Sequence, residues 1–243
     1  MWIVVAGMPL VTMVGLFVRA KMGFGFSLVV VPLASLIVGF SSSVLFAIVL
    51  EVVSSSSMAW VLRKDLRLLD AGLLKVGSLI GLFVAWSVSR YVRGDIATIG
   101  GMTVVIVTCI YVLAIGDVRR KRPPSRRVLP VLGVLSGLLN YWTSLSGPPV
   151  VLAYARSEME PKKVVATLTG YFSLLYFYTF AVEVVAGRYD HFRYWAIAIA
   201  CSLVTVVVIR PVKNLTDRIE IDFHRAAVCL IGVSATVVLI RTL

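Results

Sequence analysis

The first residue with the means to do chemistry is an acid in an apolar run. Glu51 is the only charged residue in the stretch 43–62. A charge at the centre of a membrane-inserted helix costs roughly 2.5–3.5 kcal/mol or more, and such residues are by default functional. Glu51 is therefore a candidate proton carrier. Ser54 to Ser57 continue the polar character one turn later, which turns this stretch toward a protein interior. The alternative is a neutral glutamate hydrogen-bonded to a neighbouring helix for packing.

A second group is uncharged. Asn140, Tyr141, Thr143, Ser144 and Ser146 cluster with Trp142 inside another apolar stretch. Hydroxyl and amide groups donate hydrogen bonds without a permanent charge, which suits reversible capture of an oxyanion. Tyr141 and Trp142 fit equally well as aromatic anchors at headgroup level. Glycines and prolines supply a third kind of chemistry. Gly23, Gly25, Gly147, Pro148 and Pro149 interrupt apolar segments and free backbone groups. At membrane depth, freed backbone is tolerated only where it is buried in protein or lines a wet cavity. Broken helix ends there offer N–H groups and a positive dipole end to an anion. The alternative is close helix packing at small residues.

Two cations, Arg19 and Lys21, adjoin the first glycine pair. The flanking segments are long enough to cross a membrane, so both are expected in a surface loop. A turn at mid-membrane would instead make them partners for an anion. Glu183, four residues before Gly187, is expected near an interface and ranks behind Glu51. Arg63 and Asp65, like Arg188 and Asp190, are expected at helix ends.

The elements that must hold these residues follow from composition. The chain has 243 residues, 59% of them hydrophobic and 15% charged, against ~45–50% and ~25% in soluble domains. This excludes an ordinary soluble enzyme and a disordered chain, and leaves a polytopic helical membrane protein. The apolar segments are 1–18, 22–40, 43–62, 72–90, 97–116, 128–155, 164–187, 194–209 and 226–241. Net charge +12 resides in short clusters between them, the pattern that sets membrane orientation. No soluble module is present to bind nucleic acid. Cys109, Cys201 and Cys229 all lie in apolar segments without CxxC spacing, so neither a metal nor a cofactor is expected. Residues 1–18 lack a basic start and a cleavage site, and are read as retained.

The basic stretch 117–127 divides the chain into 1–116 and 128–243 and is placed in the cytoplasm. Reading 128–155 as a helix–break–helix hairpin puts the larger excess of Lys and Arg on that side, with both termini on the other. An internal repeat follows: Gly15 and Gly25 are matched by Gly137 and Gly147, and Arg63-x-Asp65 by Arg188-x-Asp190. Each half then reads as a broken hairpin plus three transmembrane helices. The expected architecture is all-α with two inverted repeats, an arrangement common in secondary transporters with a midplane site.

Several segments carry a family resemblance: Met22-Gly-Phe-Gly-Phe-Ser-Leu-Val-Val-Val-Pro32, Leu50-Glu51, Ser146-Gly-Pro-Pro-Val-Val-Leu152, and Ala166-Thr-Leu-Thr-Gly-Tyr-Phe172. The chain resembles the sulfite exporter TauE/SafE family over about residues 15–240. That resemblance implies a multi-pass permease of the bacterial inner membrane that exports a small sulfur-containing anion. No catalytic or ATP-binding motif is present, so no enzyme activity is expected. A small anion and the lipid bilayer are the expected partners, with a homodimer left open. A non-transporting assembly subunit is the competing function.

Overall fold

The protein is described here by a computed structural model, covering residues 2–92, 124–155 and 159–218 with isolated positions within 96–114 and 232–240. Among the described residues the chain is helical and contains no strand. The helices are α1 (Trp2–Met22), α2 (Phe26–Val38), α3 (Phe40–Val61) and α4 (Leu68–Val88) in the first half. The second half contributes α5 (Leu129–Thr143), α6 (Gly147–Ala155), α7 (Pro161–Val185) and α8 (Trp195–Arg218). In lipid every backbone group must be satisfied within the protein, which selects helices for such apolar runs. Among the described residues, five helices, α1, α3, α4, α7 and α8, are long and apolar enough to cross a membrane. The segments 97–116 and 226–241, expected to be the last helix of each half, fall largely outside the described residues. So do Cys109, Cys229 and most of the basic linker.

The two halves share an order: a longer helix, a break, a short helix, then two long helices. The breaks are built alike. Gly23 adopts φ 79° and its N–H bonds the carbonyl of Arg19 at 2.7 Å. Ser144 adopts φ 55° and its N–H bonds the carbonyl of Asn140 at 2.9 Å. Both are left-handed residues that close the last helical turn. Pro148 falls in the first turn of α6, where its missing N–H leaves no helical bond unmade.

The first break corrects the sequence reading. Residues 19–21 are not a loop; they are the last turn of α1, and the chain breaks at 23–25. Depth is corrected as well. α1 and α2 run antiparallel, with Gly7 against Ile37 and Gly15 against Val30. The 13-residue α2 is about 20 Å long, short of the ~30 Å hydrocarbon core. Its start, at Ser27, bonds Glu51 at the middle of the 22-residue α3. The break therefore lies about halfway along a full-length crossing. The nine-residue α6 is shorter still.

Among the described residues, contacts between the halves include α4–α5, α1–α8 and α3–α7, with α3 also against α8 and α4 against α7. α4 and α5 run parallel along a glycine seam: a Cβ on Gly77 would lie 1.9 Å from the Pro130 carbonyl oxygen, and one on Gly137 2.2 Å from that of Ser78. Only hydrogen fits at such a crossing. α1 packs on α8, and their ends meet where Lys21 Nζ donates to the Thr216 carbonyl at 3.1 Å. α3 packs antiparallel to α7. Lys162 at the start of α7 pairs with Asp65 just beyond α3 at 3.1 Å, and Tyr189 just beyond α7 donates to the Leu45 carbonyl at 3.0 Å. The core includes Phe26, Val30, Phe46 and Leu50, all fully buried. Outward, α8 exposes Leu203, Val206 and Val207, the surface a lipid-facing helix requires.

Candidate functional site

The two breaks meet. Phe24, Gly25 and Ser27 from the first and Ser144 to Gly147 from the second line one small cavity of about 10 Å³, the space of about one water. α3 closes one side with Glu51, α7 another with Phe172 and Tyr176, and Arg19 enters from the last turn of α1. The first turns of α2 and α6 both face it, so two positive helix ends converge on one point.

Arg19 is fully buried, and its Nη1 bonds Glu51 Oε2. Its Nη2 donates to Ser55 Oγ at 2.6 Å, while Nε has no protein partner. Glu51 is 2% exposed and accepts from four donors. Beyond Arg19, Ser55 Oγ donates to Oε2 at 3.0 Å, and Ser27 donates to Oε1 through Oγ at 2.8 Å and through its backbone N–H at 3.3 Å. Ser27 Oγ also lies 3.2 Å from Tyr176 Oη and 3.3 Å from Ser144 Oγ. Tyr176 donates to the Ser144 carbonyl at 2.8 Å and accepts from Ser146 Oγ at 3.0 Å. The hydroxyl network thus ties the two breaks to the ion pair.

Arg19 is the chief correction to the sequence reading, which put it in a surface loop. The guanidinium sits level with the centre of α3. Lys21 behaves differently, reaching the carbonyl end of α8, where the helix dipole favours a cation. Removing two ions from water costs several kcal/mol each, and a buried pair often stabilises no better than a hydrophobic substitute. The Arg19–Glu51 pair is therefore poorly explained by stability alone.

Gly25, Glu51, Ser144, Ser146 and Gly147 were expected at a site, and the structure brings them together around the cavity. The others lie off its lining. Gly23 packs against Val165, where a Cβ would come within 2.9 Å of the Val165 Cα. Thr143 caps the second break, accepting from the Leu145 N–H at 3.2 Å. Asn140 donates to Thr179 Oγ1 at 2.7 Å. Tyr141 donates to Ser89 Oγ at 3.1 Å and lies beneath Arg188. Pro148 belongs to the first turn of α6. The cause is shared: α5 stays helical through Thr143, so residues 140–143 follow its helical faces and not the break. Ser27, Ser55 and Tyr176 were not anticipated. Glu183, expected near an interface, is fully buried and pairs with Arg188 close to the end of α7.

Comparison with known proteins gives one positive result. No curated protein matches the chain, and no solved structure does. The family model described as Sulfite exporter TauE/SafE matches residues 8–239, nearly the whole length. With its spanning helices and buried polar centre, the chain belongs to the sulfite exporter TauE/SafE family of membrane transporters.

Proposed function

We propose that the protein is a secondary carrier that moves a small sulfur-containing oxyanion through the Arg19 cavity by alternating access. The observation that carries this reading is a fully buried arginine at the meeting point of two helix N-termini and two helix breaks. Guanidinium and backbone N–H groups are the donors that sulfite or sulfonate oxygens require. Matching break geometry in the two halves and the antiparallel α3–α7 pairing support an inverted repeat, whose halves rock about a fixed central site. The basic stretch 117–127 then faces the cytoplasm of a bacterial inner membrane.

The ion pair supports a coupling mechanism. An incoming anion competes with Glu51 for Arg19. Once displaced, a buried carboxylate without its counter-ion is costly, and taking up a proton removes that cost. One proton thereby enters with the anion, and both leave when Glu51 recaptures Arg19. The cavity is too small to admit a multi-atom anion, so the described conformation is a closed one that must open for binding.

Uptake of labelled sulfite, sulfoacetate and taurine into proteoliposomes, with and without an imposed proton gradient, tests the reading. Saturable flux of one of them, faster with the gradient and abolished in Arg19→Gln and Gly147→Leu variants that insert normally, is expected. Flux that survives Arg19→Gln would remove the site from transport. Normal insertion with no flux of any small oxyanion would return the protein to a structural role.

A further inference from the structure

We infer that Glu183 is a second proton-binding site, reached from the membrane surface past Arg188; this rests on the carrier reading only for its role, not for its existence. Glu183 has no exposed surface, although it stands two residues before the end of α7. Its Oε1 accepts from Arg188 Nη1 at 2.7 Å, while Oε2 is buried without a partner. One turn back on the same face, Thr179 accepts from Asn140 Nδ2, and Asn140 Oδ1 is likewise buried without a partner. Two buried acceptors that lack donors thus occupy neighbouring positions on α7 and α5. Acceptors cannot satisfy one another, and each loses the hydrogen bonds that water would supply. A proton on Glu183 removes the buried charge, which has Arg188 as its one hydrogen-bond donor among the described residues.

Arg188 provides the access. Its side chain is 30% exposed, and its guanidinium lies 5.6 Å from the centre of the Tyr141 ring. A half-exposed arginine can turn to water and keep its charge there. Glu183 is then left as a buried charge without a counter-ion, a state resolved by binding one proton from the adjacent solution. When Arg188 returns, the proton leaves. Among the described residues, the ionisable groups facing Glu183 are few. Arg188 and Tyr189 follow α7 and interact with it electrostatically. Tyr141 of α5 stands under Arg188. The Leu45 carbonyl of α3 accepts from Tyr189, and Ser89, just after α4, accepts from Tyr141.

The site also points inward. Tyr176, Thr179 and Glu183 follow at spacings of three and four on α7, one helical face. Asn140 leads through its carbonyl to Ser144, and Ser144 to Tyr176, Ser27 and Glu51. Polar groups thus extend from the surface pair toward the central pair.

Infrared difference spectroscopy of the purified full chain in lipid nanodiscs, recorded across pH, tests this directly. A carboxylic-acid carbonyl band that grows as pH falls is expected, with loss of that band in Glu183→Gln. Arg188→Gln changes a half-exposed residue and leaves the carboxyl in place; it should show the band at pH values where the parent protein lacks it. A band set unchanged by Glu183→Gln, or an Arg188→Gln profile identical to the parent, would overturn the site. The measurement uses no substrate, so a missing band refutes this inference whatever the flux assay returns. A present band without anion flux refutes the carrier reading alone.

Discussion

Breaking the Arg19–Glu51 pair one side at a time should have unequal consequences. Removing one partner of a buried ion pair costs about 3–5 kcal/mol, because the other charge is stranded. Arg19→Met strands a carboxylate that still accepts from the Ser27 N–H, Ser27 Oγ and Ser55 Oγ. It can also become neutral by binding a proton. Its cost should fall near 3 kcal/mol. Glu51→Leu strands a guanidinium whose remaining partner is Ser55 Oγ and whose Nε is already unpaired. Arginine has no accessible neutral form, so this cost should reach about 5 kcal/mol, comparable with the whole stability of a marginal protein. The double variant Arg19→Met/Glu51→Leu buries no charge and should return to within about 1 kcal/mol of the parent. Reversible unfolding in mixed micelles, followed by the fluorescence of the five tryptophans, reads all three. The double variant should fold normally and carry no anion. An Arg19→Met cost equal to or above that of Glu51→Leu, or a double variant costing the sum of the singles, would refute the reasoning.

Two further contrasts follow from glycine geometry. Gly77→Ala puts a methyl 1.9 Å from the Pro130 carbonyl oxygen, whereas a Cβ on Gly72 of the same helix meets nothing within 4 Å. The first should lose about 1–3 kcal/mol by forcing α4 and α5 apart, and the second should gain up to ~1 kcal/mol from helix propensity; melting temperatures in detergent compare them. At the breaks, Gly147→Ala meets its nearest neighbour at 3.7 Å and should fold normally while slowing anion flux in a cavity of about 10 Å³. Gly23→Ala combines φ 79° with contact on the Val165 backbone and should lower the yield of folded protein, measured by size-exclusion profile.

How far the sequence could be read depended on the kind of signal. Apolar length was enough for the long helices, since backbone bonding in lipid leaves few alternatives. The second break was legible because Ser, Gly and two prolines fall together at 146–149. The first was legible at Gly23 and Gly25, but the loop around it was drawn too wide. Arg19 and Lys21 are charged and suggested a loop, yet the helix continues through them to Gly23, the residue able to take positive φ. Burial of Arg19 was hidden because its partners, Glu51 and Ser55 on α3, are distant in the chain. The polar run at 140–143 misled in the opposite direction, because a helix sends consecutive side chains to different faces. Tyr176 stands among Tyr171, Phe172, Phe177 and Tyr178, and nothing local distinguishes the ring that points inward. The seam glycines 77, 81, 133 and 137 stand at spacings of four, but only the packing shows that they pair across the halves.

The Arg19–Glu51 pair also has an electrical consequence. A membrane voltage acts on net charge, at about 2.3 kcal/mol per elementary charge per 100 mV. The empty site holds one positive and one negative group, so its reorientation is indifferent to voltage. In the proposed cycle a monoanion enters with one proton on Glu51, and the loaded site is neutral as well. A dianion leaves the loaded site one charge negative. In a cell with a negative interior, voltage then drives that species outward, while the empty carrier returns without opposition. The same pocket would carry sulfite electrically driven and bisulfite electrically silent, and the protonation state of the cargo would decide whether the cell's voltage powers its expulsion.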